Sequence, residues 1–119
     1  MGQSYRDLVV WNKARELVME IYRLTRAFPK EEIFGLLSQL RRSAVSIPSN
    51  IAEGQGRLSK GEFRVFLGNA RGSLSELETQ ILIARKLNYL NESDADGLME
   101  RSSEVGRILN GLIGSMKKP

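Results

Sequence analysis

Apolar residues recur at alternating steps of three and four along four separate stretches of the chain, the mark of helices that each bury one face. The first stripe is Trp11, Ala14, Val18, Ile21, Thr25 and Phe28, and Tyr5 and Leu8 extend it toward the N-terminus. Pro29 stops it, because a proline pushes the residue before it out of the helical region; a helix over 5–27 is predicted. The second stripe, Leu37, Leu40, Ala44, Ile47 and Ile51, predicts a helix over 34–52. Pro48 lies inside it. Its ring removes one backbone donor and presses on the carbonyl of Ala44, so a kink or a helix end near Ser46 is expected. Gly54 and Gly56 then supply the turn.

The third segment, 60–88, opens on Ser59-Lys60-Gly61-Glu62, a capping box in which the serine hydroxyl takes a free helix amide and the glutamate reaches back. Phe63, Leu67, Ala70, Leu74, Leu77, Ile81 and Ala84 follow without a break, a seam suited to bundle or coiled-coil packing. Beside it runs a strip of small residues, Gly68, Gly72, Ser75 and Thr79. Glycine in an exposed helix costs about 1 kcal/mol against alanine, so close approach of another helix, from this chain or a second subunit, is expected there. The fourth segment, 93–116, starts at Asn91-Glu92-Ser93-Asp94, where Ser93 or Asn91 can cap. Its stripe is Leu98, Ser102, Val105, Leu109, Leu112 and Met116, and Lys117 and Lys118 suit its C-terminal dipole. Four amphipathic helices with short joins and no strand alternation predict an all-α fold: an antiparallel up-down-up-down four-helix bundle forming a single domain over 1–119.

Composition narrows the chemistry. With 41% hydrophobic and 27% charged residues in 119 positions, the chain is an ordinary globular sequence. It contains no Cys and no His, which excludes disulfides, thiolate nucleophiles and the commonest general base and metal ligand. No signal-peptide layout opens the chain, and its apolar runs fall far short of the roughly 20 residues that span a bilayer. A cytoplasmic protein with no membrane partner is expected. The net charge of +4 predicts some affinity for polyanions.

Arg57, Lys60, Arg64 and Arg71 are set close together with one acid, Glu62, among them, and Arg41 and Arg42 lie on the preceding helix. Such residues neutralise backbone phosphates and release counterions; a solvated face, or arginines paired with carboxylates between subunits, is the plainer explanation. The aromatics interleaved with them, Phe63 and Phe66, fall at core positions, and no exposed stacking aromatic is evident. Ser49, Asn50 and Glu53, next to Pro48, can form a polar pocket or simply satisfy backbone groups that the proline frees. Glu53, Glu76 and Glu78 lack the histidines of a di-iron bundle, so no metal or other cofactor is expected, and Glu76 is a natural partner for Arg41, Arg42 or Arg71. Trp11 reads as core; Tyr5, ahead of the strong stripe, is the better interface aromatic.

Three blocks resemble a known family: Ser4-Tyr5-Arg6-Asp7-Leu8-Val9-Val10-Trp11, Gln39 through the Ile47-Pro48-Ser49-Asn50-Ile51-Ala52-Glu53-Gly54 motif, and Gly72-Ser73-Leu74-Ser75-Glu76-Leu77-Glu78-Thr79-Gln80. They are similar to the bacterial four-helix-bundle proteins encoded in intervening sequences of 23S ribosomal RNA genes. The match covers nearly the whole chain, and the last helix matches in pattern rather than in motif. The resemblance implies a ring-shaped homo-oligomer, with a pentamer favoured, and no assigned activity. A remoter similarity to accessory proteins of diversity-generating retroelements implies a basic surface for RNA and a protein partner such as a reverse transcriptase.

Two functions follow. One is a non-enzymatic homo-oligomeric module that binds structured RNA or DNA through Arg41, Arg42, Arg57, Lys60, Arg64 and Arg71. The other is a homo-oligomeric protein-interaction scaffold with no nucleic-acid role. Tyr5, Gly68, Gly72, Ser75 and Glu76 are the candidate subunit contacts, and Pro48, Ser49, Asn50, Glu53 and Gly54 read as structural. No catalytic residues stand at mechanistic spacing.

Overall fold

The computed structural model describes residues 4–116; Lys117 and Lys118 lie outside that range. Its described residues are helical with connecting turns and no strand: α1 (Val9–Thr25), α2 (Leu36–Gln55), α3 (Lys60–Lys86) and α4 (Glu92–Ser115), preceded by a 3₁₀ turn at Tyr5–Asp7 and with another at Lys30–Glu32. The first helix is therefore shorter than predicted. Leu8 is extended and separates the 3₁₀ turn from α1, while Asn12 Nδ2 donates to the carbonyls of Arg6 and Leu8 across the break.

The starts of α3 and α4 follow from local chemistry. Ser59 Oγ accepts from the Glu62 amide at 3.1 Å, so the serine half of the predicted capping box forms, while Glu62 Oε1 reaches back to the Ser59 hydroxyl at 3.2 Å. Asn91, rather than Ser93, caps α4, accepting from the Asp94 amide at 2.7 Å. α3 stops where Asn88 takes a left-handed φ of 65°. The amides of Asn88 and Tyr89 then bond the carbonyls of Arg85 and Ala84, which satisfies the last turn of the helix.

The four helices enclose one core. Leu17, Ile21, Leu40, Ile47, Ile51, Leu67, Leu77, Ile81, Leu98 and Leu109 are its largest fully buried apolar side chains outside valine. α2 meets α1 and α3, and α4 meets α3 and α1. Contacts across two of these pairs run in opposite residue order: Ser43 with Gln80 and Ser46 with Ser73 between α2 and α3, and Arg64 with Ile113 and Arg71 with Asn110 between α3 and α4.

Two expectations about α2 are corrected. Of the kink or helix end expected at Pro48, the end near Ser46 does not occur, because α2 continues through the proline to Gln55. Ile47 and Ile51 on either side are fully buried, and burying an isoleucine recovers roughly 1.5–3 kcal/mol, against one lost helix bond. Gly54 is likewise not the turn but a buried helical residue. A Cβ there would stand 2.6 Å from Phe66 Cβ and 2.9 Å from Phe63 Cδ1, so the glycine lets α3 approach the end of α2. The turn itself is Gly56 to Leu58, with Leu58 wholly exposed.

Candidate nucleic-acid interface

The six basic candidates separate into three environments. On α2, Arg41 is half-buried: its Nε donates to Thr25 Oγ1 at 2.9 Å and its guanidinium lies 4.4 Å from the Tyr22 ring centre. It is part of the α1–α2 contact rather than a free cation. Arg57 is also engaged, pairing with Glu53 at 2.8 Å and covering the Phe66 ring. Lys60, Arg64 and Arg71 are exposed on α3, and the last two lie along its α4 side. Arg64 Nε donates to the Ile113 carbonyl at 3.4 Å, and Arg71 donates to Asn110 Oδ1 at 3.0 Å.

Those two arginines are held by neutral acceptors. Their charge is positioned without being neutralised. Lys60 has no ion pair among the described residues, and Arg107 of α4, hydrogen-bonded to Ser103, adds a further cation that the sequence reading did not single out. Its spacing from Asn110, which holds Arg71, is the signal that could have found it. Arg42 lies apart, on the exposed side of α2, also without a hydrogen bond or ion pair among the described residues. The structure therefore unites Lys60, Arg64 and Arg71 on one helix and leaves Arg41, Arg42 and Arg57 outside that flank.

The residues around Pro48 do not converge on a pocket of their own. Asn50 Nδ2 donates to the Ser46 carbonyl at 2.8 Å and to Ser46 Oγ at 3.0 Å, and Ser46 Oγ shares a hydrogen bond with Ser73 of α3. Glu53 is taken by Arg57. Ser49 borders a cavity of about 290 Å³ between α1 and α2, together with Tyr5, Trp11 and Pro48. Tyr5 meets Trp11 edge-on at 5.1 Å, and Trp11 is half-buried rather than central to the core.

Glu76 makes no ion pair with Arg41, Arg42 or Arg71 within the chain; its Oε2 accepts from Gln80 at 3.3 Å. Glu78 accepts the hydroxyl of fully buried Ser102 on α4. No group of three acidic side chains able to hold a metal ion occurs among the described residues. On the small-residue strip, Gly72, Ser75 and Thr79 are exposed and nothing lies within 4 Å of a Cβ added at Gly68 or Gly72. No helix of this chain approaches there, which removes the intramolecular half of that expectation. An exposed aromatic that the sequence reading did not single out is present: Phe34, in the turn before α2, is 95% exposed. No helix among the described residues is long and apolar enough to cross a membrane.

The model of the 23S rRNA-intervening sequence protein family matches residues 6–111. A solved structure of a protein of unknown function from Bacteroides thetaiotaomicron VPI-5482, assigned to the S23 ribosomal protein family, superposes with a TM-score of 0.82. It is 24% identical, and the alignment covers 88% of this chain and 98% of that one; at that identity it speaks for the fold. No protein of curated function matches the chain.

Proposed function

The chain belongs to the 23S rRNA-intervening sequence protein family, and we propose that it is a non-enzymatic, homo-oligomeric module that binds structured RNA through the α3 flank carrying Lys60, Arg64 and Arg71. One observation carries the reading. Arg64 and Arg71 are fixed in place by a carbonyl and an amide oxygen, so their donors are oriented while their positive charge stays available. A cation already neutralised by a carboxylate gains little from a phosphate; one held by neutral groups gains the full charge-assisted bond and the released counterion.

A scaffold that uses these arginines for subunit pairing is the second reading. It requires Arg41, Arg42, Arg57 and Arg71 to be largely taken up by carboxylates at interfaces; among the described residues of one chain, Arg57 is the one of these that pairs, with Glu53. The up-down-up-down arrangement proposed for the bundle turns the outer face of α3 to solvent. With its glycines uncovered, that face is the proposed contact between copies in a ring, a pentamer being the favoured closure.

The test is fluorescence anisotropy of a labelled structured RNA, with a duplex DNA beside it, across a salt series. The comparison is the triple variant Lys60→Ala, Arg64→Ala, Arg71→Ala, checked for unchanged folding and assembly. Removing three phosphate contacts is expected to make log K against log salt shallower by roughly two to three. RNA binding that keeps the same slope in the variant, or no RNA binding at low salt, overturns the reading and leaves the scaffold.

A further inference from the structure

Between α2 and α3 lies an open cavity of about 510 Å³ whose lining brings together Phe34, Ser38, Arg42 and Glu76. Three features set it apart from an ordinary groove. Phe34 lines it with a ring that almost nothing in the chain covers, being 95% exposed; a phenyl group left in water is a cost that a stacked ring removes. Arg42 and Glu76 face the same space, yet they form no ion pair with each other and Arg42 bonds to nothing else among the described residues. Opposite charges that share a cavity without collapsing together leave both a donor fork and an acceptor open to a ligand.

The third feature is how Glu76 is held. Ser43 Oγ bonds Gln80 Oε1 at 2.7 Å, and Gln80 Nε2 donates to Glu76 Oε2 at 3.3 Å. Ser43 and Gln80 are buried at the α2–α3 contact, Gln80 being only 5% exposed. A polar pair inside a helix–helix contact is costly unless fully satisfied. Ser43 Oγ also reaches the Leu40 carbonyl at 3.2 Å, and the Gln80 amide runs outward to the carboxylate, where it occupies one Glu76 oxygen.

We propose that this cavity is a recognition pocket for one unpaired guanine base. The Phe34 ring offers a face for stacking, as in single-strand binding sites. The arginine fork matches the O6 and N7 acceptors on one edge of guanine. The Glu76 oxygen that Gln80 leaves open matches its N1–H, beside the exocyclic amine on the other edge. Adenine presents an acceptor at N1, which a carboxylate repels. An adjoining cavity of about 540 Å³, sharing Ser38, Arg42 and Ser46 and continuing to Arg41, leaves room for the sugar and phosphate.

The pocket deepens the RNA-binding reading and rests on it for the source of the base, but its test does not need the α3 flank. The full chain, isotope-labelled, is titrated by NMR with GMP, AMP, CMP and UMP, following the Phe34 ring and the Arg42 side chain. GMP is expected to shift both and to bind about tenfold tighter than AMP, since a site built around hydrogen bonds rejects the analogue that lacks them. Phe34→Ala should weaken GMP roughly tenfold, and Glu76→Gln should erase the preference over AMP while leaving the stacking shift. Both side chains are exposed, and unchanged amide spectra elsewhere confirm folding. Nucleotides that leave Phe34 undisturbed, four that bind alike, or a GMP preference that survives Glu76→Gln each overturn the pocket. GMP binding that persists while structured RNA fails to bind supports the pocket and sinks the α3-flank reading alone.

Discussion

Tyr89 donates its phenolic hydrogen to Oε2 of Glu32 at 3.0 Å, while Oε1 of the same carboxylate accepts from the Leu36 amide at 2.8 Å. One side chain thus ties the α3–α4 connection to the start of α2, where no N-cap side chain serves the helix. Tyr89 also tilts against Phe28 at 5.3 Å between ring centres. The bond to the Glu32 carboxylate, followed by burial, raises the pKa of Tyr89 above the ordinary tyrosine value of 10.0. Because the folded value is the higher one, this contribution to stability is complete below the ordinary value and disappears as pH rises through the folded one. Phenolate absorbance should show one tyrosine ionising late, and Glu32→Gln should bring it forward. Superimposable titrations of the two proteins would dismiss the clasp.

Gly54 and Gly72 should respond in opposite senses to alanine. At Gly54 the new methyl meets Phe66 Cβ at 2.6 Å, and overpacking of this kind costs about 1–3 kcal/mol. At Gly72 the space is open, so Gly72→Ala should stabilise the protomer by up to about 1 kcal/mol through helix propensity. Urea midpoints that move together rather than apart would contradict one of the two assignments, and the direction of the shift says which.

Ser102 is fully buried and donates to Glu78 across the α3–α4 contact. Ser102→Ala removes a hydrogen bond to a charged group and should cost about 1.5–3 kcal/mol. Chemical denaturation reads this directly, and a loss below a few tenths would mean that water replaces the hydroxyl.

Gly72→Leu separates folding from assembly. Nothing lies within 4 Å of a Cβ added there, so the thermal transition of the protomer should be preserved. Light scattering should show a smaller particle than the unaltered protein, if the outer face of α3 meets another copy. An unaltered protein that scatters as a 13.4 kDa monomer removes the oligomer altogether.

The helical periods made the four helices legible, and the caps at Ser59 and Asn91 were readable because capping acts over three residues. Phase was harder. In α1 the predicted seam passed through Trp11 and Val18, whereas Val10 and Leu17 are the buried positions beside Ala14 and Ile21. A helix that touches two neighbours carries an apolar arc wider than one seam, and Trp11 and Val18 form its α2-facing edge. Pro48 and Gly54 misled for a different reason. Local rules weigh one residue against its own backbone, but here packing on Ile47, Ile51, Phe63 and Phe66 decides. The cavity with Phe34 and Glu76 joins residues some forty positions apart, which no spacing rule connects.

The start of α1 and the finish of α4 lie side by side: Leu8, Val9, Leu112 and Ser115 border one shared cavity of about 470 Å³. The two outer helices thus have neighbouring ends. A circularly permuted gene, with a linker running from the finish of α4 to the 3₁₀ turn before α1 and a cut at the solvent-bathed Leu58, is expected to keep the core and leave the Glu32–Tyr89 clasp untouched.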